Sequence, residues 1–326
     1  MTVEPSLDVV GVGNSIVDVI AMVDDDFVEE HGLAKGAMTL IDEARATSLY
    51  AVMPPALEIS GGSAANTAAG VASFGGSADY IGKVRDDQLG EVFAHDLRAA
   101  GVGFDVPLAS SGPPTGRSLI QVTPDAERTM NTFLGTSTLL APADIDPELV
   151  ASAAITYCEG YLWDVDVAKA AIRFAMDAAS DAGRLVSLTL SDSFCVDRHR
   201  HEWLDLISDM VDLVFANATE VCSLFETEDF DSAAARAAGI AEIVALTRGA
   251  DGSVVLSGNE RVEVPAVQVP RVVDATGAGD LYASGFLFGL ATGADLARCA
   301  ELGGVAAAEI VSHVGARPQV SLASLA

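Results

Sequence analysis

Apolar and polar positions follow two rhythms along this chain. From Ile155 onward, short apolar runs alternate with alanine-rich stretches of helical spacing: Ile155 to Cys158, a helix from Asp166 to Asp181, then Leu185 to Leu190, Met210 to Phe215 and Ile243 to Leu246. Strands spaced by helices predict βαβ units and a mainly parallel sheet with helices on both faces. Leu7 to Val12 reads as another buried strand, and the small residues from Gly61 to Gly70, closed by Gly75-Gly76, predict a tightly packed helix. Val262 to Val269 predicts returning strands, and Leu296 to His313 a helical tail. The second rhythm is different. Val17 to Val23 and Ala37 to Ile41 surround the acidic segment Asp24 to Glu30, while Arg117 to Val122 and Arg128 to Phe133 flank the turn-like Thr123-Pro124-Asp125-Ala126-Glu127. These pieces predict strands outside the main sheet, the last two as a hairpin, able to pair into one small sheet.

Length and composition narrow the class. The chain has 326 residues, half of them hydrophobic, with no long Pro, Gly or Ser linker and no repeat. One large α/β domain with an appendage is the expectation. A formal charge of -29, from 47 acidic and 18 basic residues, argues against nucleic acid and anionic membranes as partners. Lysines are confined to Lys35, Lys83 and Lys169, which together with the acidic balance suggests a salt-rich cytoplasm, a high-GC codon bias being the duller explanation. Cys158, Cys195, Cys222 and Cys299 lie far apart and read as reduced thiols. The opening Met1-Thr2-Val3-Glu4-Pro5 has no basic region followed by an apolar core, so a cytoplasmic protein is expected, as a monomer or homodimer.

The most informative stretch is Asp274-Ala275-Thr276-Gly277-Ala278-Gly279-Asp280, which runs into the apolar segment Leu281 to Leu290. It predicts a loop turning into a buried helix whose N-terminus carries Gly277, Ala278 and Gly279. Unpaired N–H groups at a helix start, backed by the positive end of the dipole and free of bulky side chains, make an anion cradle. Asp280 is a poor phosphate ligand there, but it suits a general base that takes a proton from a substrate hydroxyl. A plainer account stays open, in which the glycines shape a turn and Asp280 serves the dipole. No P-loop sequence is present, and Gly11-Val12-Gly13 fails as a dinucleotide fingerprint because its third glycine would fall at Ile16. Asn14 and Asp18 are expected at the carboxyl end of the first strand, where open α/β sheets collect ligands; they suit vicinal hydroxyls, or else a solvated turn. Asn217 and Glu220 have the spacing of a capping box. Thr247 to Gly252 is compatible with a plain β-turn.

Asp-x-Thr-Gly-Ala-Gly-Asp ahead of a small-residue helix resembles the second signature of the ribokinase-like (PfkB) family of carbohydrate and nucleoside kinases. Gly61-Gly62-x-x-x-Asn66, followed by Tyr80-Ile81-Gly82-Lys83-Val84-x-x-Asp87-x-x-Gly90, resembles the first. The resemblance spans nearly the whole chain. It implies a ribokinase-like three-layer α/β/α fold with a mainly parallel central sheet and a small β-sheet lid, the core from 1–13, 45–113 and 134–326 and the lid from 14–44 and 114–133. It places the catalytic base on Asp280 and the anion hole on the amides of Gly277, Ala278 and Gly279. Gly61, Gly62 and Asn66 would hold sugar hydroxyls together with Asn14 and Asp18. Asn217 and Glu220 would order Mg²⁺ and its waters, Glu220 reaching the metal indirectly through water. Thr247, Gly249, Gly252 and Thr276 would lie along the nucleotide, with the helical tail on the adenine side. Arg128 is a lid-side candidate for pairing with the moving phosphate; its plainer account is an exposed hairpin charge. ATP is the implied cosubstrate, and a K⁺ site near Asp274 is left open.

Within that family, Gly13-Asn14-x-x-x-Asp18, Val23-Asp24-Asp25-Asp26-Phe27, Leu33 and Pro114-Thr115-Gly116 look like the adenosine-kinase branch. Ile16, Met38, Leu40, Phe133 and Leu134 would sandwich a base while the polar residues hold the ribose. The alternatives are a ribokinase- or fructokinase-type sugar kinase and, from another class, an inactive relative that binds nucleosides as a sensor.

Overall fold

Successive residues of a strand point to opposite faces, so apolar runs without alternation require cover on both sides. That is how the main sheet is built. Val10, Val12, Cys158, Val186 and Leu188 face a layer closed by Trp163, Ile172 and Trp203. Val9, Ile155, Tyr157, Leu213 and Phe215 face the other layer, under Ala64, Ala68, Tyr282 and Phe286. The structure is a computed structural model describing residues 4–125 and 127–326. The Met1 to Val3 opening and Ala126 of the expected turn lie outside the described residues.

In chain order the strands are β1 (Leu7–Val12), β2 (Ile16–Met22), β3 (Met38–Leu40), β4 (Leu57–Gly61), β5 (Ala78–Ile81), β6 (Val102–Gly103), β7 (Gly116–Val122) and β8 (Arg128–Phe133). They continue with β9 (Ala153–Glu159), β10 (Leu185–Thr189), β11 (Leu213–Asn217), β12 (Ile243–Thr247), β13 (Ser253–Ser257) and β14 (Glu260–Val264). Among the described residues they form a nine-stranded sheet in the order β14-β13-β12-β11-β10-β9-β1-β5-β6 and a five-stranded sheet in the order β3-β8-β7-β2-β4. The large sheet is parallel from β6 to β12 and antiparallel only at its β13 and β14 edge. From β1 the chain builds outward in both directions, to β5 and to β9. The carboxyl ends of β1 and β9 therefore bound a switch-point crevice, where such sheets bind ligands.

The small sheet forms as expected from the two lid segments, with β7 and β8 as an antiparallel hairpin closed by Thr123 N–H on Glu127 O at 3.0 Å. It also recruits Leu57–Gly61, a strand outside those segments, alongside β2. Its Val17, Val19 and Leu119 pack with Leu49 against the body of the molecule. The opposite face, with Ile16, Ile120 and Met130, looks into a cavity.

Several expected bounds shift for local reasons. Asp25–Glu30 is a short helix, started by the Asp24 side chain accepting from Phe27 N–H at 2.9 Å. Asp18 lies within β2 and not at the end of β1. The expected strand Val262 to Val269 stops at Val264, because Pro265 supplies no N–H for the ladder. Met210 closes the preceding helix, so β11 begins at Leu213. The helical tail ends at Ile310.

Two helices carry the site, Ser63–Ser73 and Ala278–Ala291. They approach closely because Gly70 lacks a side chain: a Cβ there would lie 2.3 Å from Ser284 Oγ. That contact brings Asn66 to Asp280.

Candidate active site

Gly277 adopts a left-handed conformation, φ +79°, that favours glycine, and it turns the loop into the Ala278–Ala291 helix. No side chain caps this start. Ala278 N–H donates to Ala275 O at 3.2 Å, and the helical ladder begins only with Leu281 N–H on Gly277 O at 2.8 Å. The amides of Gly279 and Asp280 belong to the first turn, where a helix has no internal acceptors for them. A Cβ built on Gly279 meets nothing within 4 Å, so the space beside the loop is open.

The Asp280 carboxylate lies beside that cradle, gripped from the facing helix. Ser63 Oγ donates to Oδ1 at 2.7 Å and Asn66 Nδ2 to Oδ2 at 2.9 Å. Burial pushes its pKa above the ordinary carboxylate value, and these two donors with the nearby Arg317 charge hold it down in part. Asn66 Oδ1 is buried without a partner and remains a free acceptor.

Across the cavity, the switch point is tied by Glu159 at the end of β9. Its Oε1 accepts from Asn14 N–H at 2.8 Å and Asn14 Nδ2 at 2.7 Å, and its Oε2 accepts from Ala64 N–H at 2.8 Å. Asn14 Oδ1 accepts from Ser137 Oγ at 2.8 Å, and Tyr80 OH donates to Asn14 O at 2.8 Å. Gly13 makes the room: a Cβ there would lie 2.3 Å from Glu159 Oε2. Burial raises Glu159 to about 7 despite these N–H bonds. Asp18 projects from β2 against Gly61, whose hypothetical Cβ would sit 2.8 Å from the carboxylate. Burial raises Asp18 to about 6, against the opposing pull of Arg128 and Arg317.

These groups share one cavity of about 560 Å³. Of the sequence candidates, Asn14, Ile16, Asp18, Met38, Leu40, Gly62, Asn66 and Leu134 line it, as do Asn217, Glu220, Thr247, Thr276, Gly277, Ala278, Gly279 and Asp280. A second chamber of about 450 Å³ shares Thr247, Ala275, Ala278, Gly279 and Tyr282 with the first. Gly249, Gly252, the irregular Pro265–Val269 segment and the small residues Ala300, Gly304 and Ala307 of the last long helix enclose it. The larger cavity and the apolar chamber thus share a wall at the helix start, and Asp280 stands on the side of the larger cavity.

The family model of the pfkB family carbohydrate kinases matches residues 57–322. The chain belongs to the pfkB family. A solved adenosine kinase from Sinorhizobium meliloti is 54% identical, with 98% of both chains covered and a TM-score of 0.91. A probable sugar kinase from Rhizobium etli CFN 42 is 50% identical over 98% of both chains, with a TM-score of 0.92. Adenosine kinase 2 of Arabidopsis thaliana is 25% identical over 329 residues, 94% of each chain. This pfkB kinase is therefore a phosphotransferase with an alcohol group as acceptor, a carbohydrate or nucleoside kinase of ribokinase-like fold that uses ATP.

Three expected site residues are placed differently in the kinase. Arg128 does not line the cavity; its guanidinium is ion-paired with Asp274, at the root of the loop that ends in Asp280. Phe133 turns away, since Thr132 faces the cavity and neighbours on a strand point oppositely. Gly61 supports Asp18 from behind instead of lining the cavity. Asn217 and Glu220 do close a capping box, with Asn217 N–H donating to Glu220 Oε2 at 2.9 Å and Glu220 N–H to Asn217 Oδ1 at 2.9 Å. Glu220 is also raised to about 7 by burial, with Asp192 and Asp280 adding to the effect.

Sequence reasoning missed Ser63, Glu159 and Arg317. Arg317 donates to Ser60 O, Ser60 Oγ and Ala65 O, pinning the chain on both sides of the glycine pair. Glu159 carried one legible sign, an acidic residue ending an apolar strand. Among the described residues no helix is long and apolar enough to cross a membrane.

Proposed function

We propose that this kinase transfers the γ-phosphoryl group of ATP to the primary hydroxyl of a ribose-bearing nucleoside, adenosine in particular. The observation that carries the reading is a shared wall: Asp280 lines the cavity that holds Asn14, Asp18 and Asn66, next in sequence to Ala278 and Gly279, which line both that cavity and the apolar chamber. In this reading Asp280 takes the proton of the attacking hydroxyl, and the amides at the helix start that have no internal acceptor, Gly279 N–H foremost, neutralise charge growing on the transferred group. Asn66 Oδ1 and Asp18 accept from the sugar hydroxyls, and Asn14 keeps the second hydrogen of its Nδ2 for the ligand. Thr247, Thr276, Gly249 and Gly252 follow the nucleotide.

Among the described residues no three His, Cys, Asp or Glu side chains stand together to hold a metal ion directly. Asp192, Glu220 and Asp280 do line one cavity, which suits a hydrated cation bound through its waters. Glu220 would hold Mg²⁺ through water, and the ion, when bound, screens the phosphate charges. The small sheet, with the 14–44 and 114–133 segments, serves as a lid that excludes water. The setting we propose is a reducing cytoplasm, supported by four free cysteines of which three are buried.

Adenosine is favoured over a bare sugar by the lid face. Met38 is 46% and Leu40 57% exposed at the cavity, apolar side chains that a purine covers and a sugar leaves wet. A sugar acceptor is the second reading, supported by the likeness to the Rhizobium etli protein. ADP release with adenosine, ribose, fructose and 2-keto-3-deoxygluconate, each with ATP and Mg²⁺, decides between them. Turnover highest on adenosine supports the first reading, and turnover on a free sugar alone overturns it.

A further inference from the structure

Tyr282 lies two residues beyond Asp280 on the same helix, and 4% of it is exposed. Its ring is fixed on three sides. Phe215 meets it edge-on at 6.4 Å, Phe286 lies at 6.3 Å, and a Cβ on Gly303 would come within 2.9 Å of it. A phenylalanine satisfies every one of these contacts. The hydroxyl is what packing does not explain: it is buried with no partner that meets hydrogen-bond geometry, and Ser253 is the one side chain that interacts with it from nearby. Leaving such a group unpaired carries a desolvation penalty that a ligand acceptor would relieve.

The residue also stands at the wall shared by the two chambers. Polar side chains are sparse on the second chamber, where Thr247, Ser253 and Gln268 are the others that line it. We propose that the Tyr282 hydroxyl is a binding group for the nucleoside triphosphate, donating a hydrogen bond to an acceptor atom of the nucleotide where it crosses from one chamber to the other. The inference rests on the ATP reading above. Burial pushes the phenol well up from its ordinary value, so the group stays a protonated donor through the physiological range.

Tyr282→Phe removes the hydroxyl and leaves the ring. The test is calorimetric binding of a non-hydrolysable ATP analogue and of adenosine to wild type and variant, with the melting temperature of each free protein. The expected result is analogue binding weaker by roughly fivefold to tenfold, the worth of one neutral hydrogen bond, adenosine binding unchanged, and a free-protein melting temperature equal to or above wild type. Analogue affinity within twofold of wild type overturns the assignment, and a lowered melting temperature alongside it marks the hydroxyl as a structural partner of Ser253. Wild type that binds adenosine but no analogue overturns the nucleotide reading itself, and this inference with it.

Discussion

Arg128, at the start of β8 in the small sheet, is ion-paired with Asp274, the first residue of the loop that ends in Asp280. Both side chains are nearly buried, at 9% and 5% exposure. Gly315 N–H at 3.0 Å and Thr276 N–H at 2.9 Å also bind the Asp274 carboxylate. Burial alone would raise its pKa, but these N–H groups and Arg128 outweigh it and hold the carboxyl below its ordinary value. The small sheet and the loop that leads into Asp280 are thus linked through one charge pair.

Breaking that pair leaves a buried charge alone. Arg128→Met and Asp274→Asn are each expected to destabilise the fold by about 3–5 kcal/mol, and the double variant by clearly less than the sum. Urea unfolding of the four proteins measures the coupling, and strict additivity would show that the two residues do not act on each other. Because the folded pKa of Asp274 is depressed, its contribution is present above the unfolded value near 4 and is lost as pH falls through the folded one.

Glu159 gives the opposite slope. Its folded pKa is raised from 4.5 to about 7, so the folded protein binds more protons than the unfolded chain across that interval. Stability from this group therefore falls as pH rises from about 4.5 to about 7. Melting curves of the ligand-free protein between those limits should show a shallower decline for Glu159→Gln than for wild type. An identical slope in the two proteins would mean that Glu159 is already ionised below that range.

Ser63 is expected to tune the base. Its hydroxyl lowers the Asp280 pKa, so Ser63→Ala should move the acidic limb of the kcat profile to higher pH while adenosine binding persists. A profile that falls in height without moving would assign Ser63 to substrate contact instead.

What was legible in the chain, and what was not, follows sequence distance. Gly277 and Asp280 stand out because a left-handed turn, bare amides and an apolar helix are all written within a dozen residues. The parallel sheet was legible for the same reason, since each βαβ unit is local. Glu159 was not, because the partner that gives it meaning, Asn14, is 145 residues away. Arg128 and Asp274 are 146 residues apart, so a lone hairpin arginine gave no sign of its carboxylate. Phe133 shows a limit of another kind. Strand alternation says that it and Thr132 face oppositely, but only the register of β8 against β7 says which one sees the cavity.

The most direct measurement is turnover by Asp280→Asn, with ATP, Mg²⁺ and saturating adenosine, beside calorimetric binding of both substrates. Turnover reduced by on the order of a hundredfold or more, with ATP and adenosine still bound, is the outcome expected when a general base is lost. Near-normal turnover in a folded, substrate-binding variant would contradict the central claim that this carboxylate accepts the hydroxyl proton.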